Sequence, residues 1–140
     1  QTMRQLEHER GGIDRLASNQ RLYLDTKDLA DTRDPLIRQE IAQIETGYKI
    51  GRDMVLRNVL RQNPFPQYSA VTKTWCTEFE QRVANFVGHV VGAESMLSNR
   101  VSRNLIYAPA YTIMGGTTQI LRNIIGERIL GLPREPRPQS

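Results

Sequence analysis

The sequence predicts an all-α fold, an antiparallel up-and-down four-helix bundle over residues 1–133, with a polar tail at 134–140. Three observations predict it. Apolar residues recur at spacings of three and four in four separate stretches, as one face of an α-helix requires. Breaks bearing proline or glycine separate the stretches, and most are short, which favours antiparallel neighbours. No stretch alternates with period two, as a half-buried strand would.

Segment one runs from about Gln1 to Asp28, with Leu6, Ile13, Leu16, Ala17 and Leu24 on a rough helical stripe. The Gly11-Gly12 pair inside it costs on the order of 1 kcal/mol per residue relative to alanine, a loss that a closely approaching backbone or ligand offsets. The opening at Gln1, already within this periodic stretch, reads as a piece of a longer polypeptide. Residues 28–34 form a polar connection, and Asp34-Pro35 supplies an N-cap followed by proline at the first helical position. Segment two extends to about Gln62 and carries Ile37, Ile41, Ile44, Tyr48, Val55 and Val59 on one face, until Asn63-Pro64-Phe65-Pro66 stops it. Segment three, from near Ser69 to Gly92, carries Trp75, Phe79, Val83, Phe86 and Val90, aromatics that read as core. From Ala93 to Gly116 the periodicity is weak, and Pro109 and Gly115-Gly116 interrupt it. A long functional or partner-bound loop is expected there. Segment four, Thr117 to about Leu130, offers Ile120, Leu121, Ile124, Ile125 and Ile129 for burial before Gly131 and Pro133 end it.

The composition, 39% hydrophobic and 24% charged over 140 residues, fits one globular domain with a modest core. No apolar run approaches the roughly 20 residues that cross a bilayer, and no signal-peptide pattern opens the chain, so a cytoplasmic location without a membrane span is expected. Cys76 is the one cysteine, which leaves no internal disulfide and reads as core packing. His8 and His89 stand far apart and outside any metal-binding spacing, so no metal is expected. The net charge of +4 invites a nucleic-acid reading, but the basic residues are scattered, without charge blocks or interleaved aromatics. No nucleic-acid partner is expected, and a helical adaptor or nucleic-acid-binding module stands as an alternative on charge alone.

Two strings carry candidate chemistry. The first is IMGGTTQILRNIIGERILGLP, from Ile113 to Pro133. Its glycines keep side chains away from the space before a complete helix, and Thr117 can cap that helix while the next amides face a ligand or partner. The second is LEHERGG, in which Glu9 and Arg10 precede two glycines. Taken alone, Glu9-Arg10 reads first as a solvated charged face.

Together these strings resemble the acyl-CoA dehydrogenase family, whose members end in a four-helix bundle. Most of the family carries a catalytic glutamate two residues ahead of a flavin-contacting threonine. That place here is Gly115, which has no side chain to accept a proton. A subset instead carries the base on the first bundle helix, directly ahead of an arginine, which corresponds to Glu9 followed by Arg10. The resemblance therefore implies an FAD-dependent α,β-dehydrogenation of an acyl-CoA thioester with Glu9 as the α-proton base. A carboxylate buried between acyl chain and flavin has its pKa raised, which suits it to that task. Arg10 and Glu7 are implied on the substrate side, and Thr117, Gln119 and Gly116 on the FAD side. On the residues alone, Thr117 is also a plain N-cap and Gln119 also a solvated surface residue.

The partners implied are the acyl-CoA substrate, other acyl-CoA dehydrogenase subunits in a homo- or hetero-oligomer, and an electron-transfer flavoprotein or similar acceptor. The chain also departs from the family. Where an arginine and a phenylalanine usually reach a neighbouring subunit's flavin, it has Asp28 and Asp31. The segment DTRDPLIRQEIAQI is similar instead to a divergent actinobacterial group, some of whose members are heteromers acting on bulky substrates such as steroid side chains. A non-catalytic structural subunit of such a heteromer is the alternative reading.

Overall fold

The computed structural model describes residues 13–134, so Glu7, Glu9 and Arg10 lie outside the described residues, as do Leu6, His8, Gly11-Gly12 and 135–140. The described part is all-helical: α1 (Ile13–Lys27), α2 (Pro35–Val59), α3 (Tyr68–Val91), a 3-10 turn (Gly92–Met96), α4 (Arg100–Tyr111) and α5 (Thr118–Arg128). Paired contacts give each helix its direction. Leu16 meets Gly51 while Lys27 meets Glu45, so α1 and α2 are antiparallel. Asn19 reaches Glu80 and Tyr23 packs on Phe86, so α1 and α3 run the same way. Arg100 at the start of α4 pairs with Asp25 near the end of α1, and Lys73 and Glu78 on α3 meet Gly116 and Arg122 beside α5. The helices thus alternate up and down, and α1, α3 and α5 begin at one end of the bundle.

Helix α3 packs against all four other helices and is buried on nearly every side. Its Phe79, Val83, Phe86 and Val87 meet Tyr23 of α1 and Ile44 and Tyr48 of α2 in the main core. The rings of Tyr48 and Phe79 meet edge to face at 4.9 Å, and Tyr23 lies 5.5 Å from Tyr48 and 5.9 Å from Phe86. Gly47 makes this approach possible, because a Cβ there would lie 2.1 Å from Phe79 Cε2.

The start signals act as expected. Asp34 accepts from the Leu36 amide at 2.8 Å with Pro35 opening α2, and Cys76 is a buried free thiol. Other expectations are corrected. The stretch from Ala93 to Gly116 is not one long loop but holds the 3-10 turn and the three-turn helix α4. Asn99 caps α4 through the Val101 and Ser102 amides, and the Ser102 hydroxyl accepts from the Asn99 amide in return. Pro109 falls in the last turn, where it removes only one intrahelical bond, and Val101 and Ala108 are buried with Leu105 set against Gly88. The described residues thus form five α-helices and no strand, an all-α arrangement consistent with the expected bundle.

The buried face of α1 also differs from the expected stripe. Leu24 is 46% exposed and Ala17 is exposed, while Asn19, Leu22, Tyr23 and Thr26 face inward. Hydrogen bonds make the polar pair acceptable there. Asn19 accepts from the Tyr48 hydroxyl at 3.0 Å and donates to the Glu80 carbonyl at 3.4 Å, and the Thr26 hydroxyl donates to the Leu22 carbonyl. Val59, Trp75 and Ile120, expected in the core, are exposed as well; Trp75 stacks on Phe79 from outside, at the rim of the α2–α3 cleft.

Candidate functional site

The site is the junction between α4 and α5 together with the first turns of the helices beginning at that end. After α4 the chain turns through Thr112–Gly116, with the Met114 amide donating to the Ala110 carbonyl at 2.9 Å. Gly115 and Gly116 have φ of +67° and +99°, a left-handed region that a residue with a Cβ enters at a cost of about 1 kcal/mol. The Thr118 amide then reaches back to the Thr112 carbonyl at 2.9 Å and closes the turn.

Thr117 is the N-cap of α5, its Oγ1 accepting from the Ile120 amide at 3.2 Å. Thr118 behind it is buried, and Leu121 fills the core contact one turn later. Gln119 points outward and is exposed. With the Thr118, Ile120 and Leu121 amides engaged, the Gln119 amide at the positive end of the helix is left for solvent or a ligand. A Cβ built at Gly115 would meet nothing within 4 Å, so open space lies beside this backbone. This short rim has the half-buried Thr117 hydroxyl, the outward Gln119 side chain, the Gln119 backbone amide and glycine backbone.

One residue of this site escaped the sequence reading. Lys73, on the second turn of α3, is 6% exposed, and its Nζ donates to the Gly116 carbonyl at 2.8 Å. A signal was available, since Lys73 is the one charged residue between Arg61 and Glu78. A second strap, Arg122 to Glu78 at 2.7 Å, holds α5 to α3 at the surface.

The loop brings Gly116, Thr117 and Gln119 together. Glu7, Glu9 and Arg10 lie outside the described residues, but α1 starts at the same end of the bundle as this loop. Asp28 and Asp31 sit in the connection between α1 and α2; Asp31 accepts two bonds from the Arg33 guanidinium, both at 2.8 Å, which hold its carboxyl below the usual carboxylate range. Elsewhere, burial pushes the hydroxyls of Tyr23 and Tyr48 well above the ordinary tyrosine value, reinforced by Glu45 at Tyr23 and by Tyr23 and then Glu45 at Tyr48. Among the described residues no group of His, Cys, Asp or Glu could hold a metal ion, and no helix is long and apolar enough to cross a membrane.

Comparison with known proteins adds to this geometry. Residues 1–130 match the family described as acyl-CoA dehydrogenase, C-terminal domain. The chain is 31% identical over 112 residues to acyl-CoA dehydrogenase IpdE1 of Mycobacterium tuberculosis, covering 74% of this chain and 29% of that protein. To IpdE1 of Mycolicibacterium smegmatis it is 34% identical over 107 residues, covering 73% of this chain and 27% of the relative. The chain thus spans less than a third of the length of these curated relatives. In structure it is similar to glutaryl-coenzyme A dehydrogenase in its glutaryl-CoA complex, with a TM-score of 0.70 at 20% identity, over 96% of this chain and 38% of that one, a likeness of fold.

Proposed function

Because the chain belongs to the acyl-CoA dehydrogenase family, as its C-terminal domain, we propose that it completes the active site of a flavin-dependent enzyme that removes the α and β hydrogens of an acyl-CoA thioester. The observation that carries this reading is the loop ahead of α5: open space over Gly115, a capping threonine, and an outward amide side chain two residues later. Members of this family generally depend on FAD. The residues that would hold it are Gly116, Thr117 and Gln119, and the bound flavin would supply the hydride-accepting redox chemistry. Thr117 would contribute its hydroxyl, and Gln119 its side chain and outward amide.

Glu9 is proposed as the base. It stands four residues ahead of Ile13 in the sequence, and the described part of α1 begins at the same end as the loop. Its carboxylate would take the α-proton, and Arg10 would orient the carboxylate and the thioester, with Glu7 toward the CoA portion. Gly115 adds no side chain, which leaves room for a bulky acyl group of the steroid side-chain class. Re-oxidation by an electron-transfer flavoprotein or similar acceptor completes the proposal. Glu9→Gln in the flavin-loaded protein should keep the flavin and lose dehydrogenation by at least about 100-fold, the range of a positioned general base. Wild-type turnover in that variant would reject the assignment of Glu9.

A second reading, a structural subunit beside an active partner, is favoured by Gly115 and by Asp28 and Asp31 in place of flavin-reaching side chains. Counting flavins per assembly separates the two: one per copy of this chain supports the first, and flavin only on the partner supports the second.

A further inference from the structure

We infer that Lys73 is the positioning residue of the flavin-facing loop, acting through its bond to the Gly116 carbonyl; this rests on the flavin reading of that loop. Two observations point to it. Lys73 is 6% exposed, and an ammonium withdrawn from water is costly unless it is bonded. Its Nζ lies at Gly116, beside the N-terminal end of α5, where the positive end of the helix dipole disfavours a cation. An apolar side chain would fill the same space without either cost, and the bond to Gly116 is one contact that an ammonium makes there and an apolar group cannot.

What it bonds is the most adaptable backbone of the site. Gly115 and Gly116 lack the Cβ that narrows backbone choice elsewhere, and both hold positive φ. The 2.8 Å bond fixes the direction of the Gly116 carbonyl and with it the peptide plane that enters Thr117. The capping hydroxyl of Thr117 and the orientation of Gln119 follow from that plane. Lys73 thus couples α3, the most buried helix, to the loop proposed to hold the cofactor.

The test compares wild type, Lys73→Met and Lys73→Arg in the whole flavoprotein, reading FAD affinity by titration of the apoprotein and hydrogen exchange peptide by peptide. Loss of a bond from a charged donor corresponds to roughly 10- to 100-fold, so Lys73→Met should raise the FAD Kd and the exchange rates of residues 114–119 by about that factor. Protection around Ile44 and Tyr48 should remain at the wild-type level, and Lys73→Arg, which keeps a cationic donor, should recover part of both losses. Unchanged exchange in the loop, or equal loosening of loop and core, overturns the inference. Should Lys73→Met fail to fold, Lys73→Gln, whose amide is too short to reach Gly116, takes its place. Wild-type apoprotein that takes up no FAD refutes the flavin reading instead, and the exchange comparison still decides whether Lys73 holds the loop.

Discussion

The layer shared by α1, α2 and α3 and the loop that enters α5 are built on opposite principles. In the layer, Tyr23, Ile44, Tyr48, Phe79 and Phe86 are buried, and the Tyr48 hydroxyl donates to Asn19 within it. At the loop, Ile113, Met114 and Ile120 stand exposed, and order comes from a few polar straps: the Thr117 cap, the Thr118–Thr112 closure and the Lys73–Gly116 bond. Dense apolar packing resists change everywhere at once, whereas single hydrogen bonds set single peptide planes. The difference assigns stability to one region and, under the proposed function, alignment of a ligand to the other, as for a scaffold carrying a binding loop.

That contrast can be broken most directly at Phe86. Phe86→Ala should destabilise the fold by about 3–5 kcal/mol, the range for emptying a buried aromatic site. A urea midpoint within error of wild type would mean that the layer is not the main store of stability. Tyr48→Phe should cost about 1–3 kcal/mol, because it leaves Asn19 Oδ1 buried without its donor; an unchanged midpoint would show that water replaces the hydroxyl.

The same layer should respond to alkali. Tyr48 and Tyr23 have folded pKa values raised chiefly by burial, so the folded state holds these protons more tightly than the unfolded chain. Their contribution is complete below the unfolded value of about 10 and is lost progressively as pH rises above it. Denaturation monitored from pH 8 to 11 should therefore show stability falling only above about pH 10; a flat profile through pH 11 would contradict it.

The loop should give smaller effects. Thr117→Ala should cost about 1 kcal/mol, the usual value of an N-cap, with faster exchange confined to the Ile120 amide and its neighbours. Exchange rising equally in α2 would erase the contrast between the regions. Least of all, Arg122→Ala should change stability by under about 1 kcal/mol, since the pair with Glu78 is largely solvated; 2 M salt should lower even that difference.

Much of the fold was legible before any coordinates. The Asp34-Pro35 start, the Asn63–Pro66 stop, the Thr117 cap and the stripe from Ile37 to Val55 follow from local chemistry, and helices formed where those signals lie. Helix α4 was missed because Pro109 was weighted as a breaker, although a proline in the last turn costs one bond and Asn99 with Ser102 supplied a capping box. The inward face of α1 was misjudged because two of its members, Asn19 and Thr26, are polar, and the bonds that license their burial come largely from other turns and helices. The candidate site was legible in its backbone signature but not in its support. Lys73 lies 43 residues from the carbonyl it holds.

The sequence by itself determined the all-helical class, most helix boundaries and the glycine–threonine loop, because caps, breakers and periodicity act over a few residues. Only the tertiary structure decided which polar groups enter the core, which apolar side chains remain outside, and that Lys73 of α3 reaches Gly116 ahead of α5. Those outcomes depend on which helices become neighbours, and burial of a polar group becomes tolerable only when a distant partner arrives within hydrogen-bond reach.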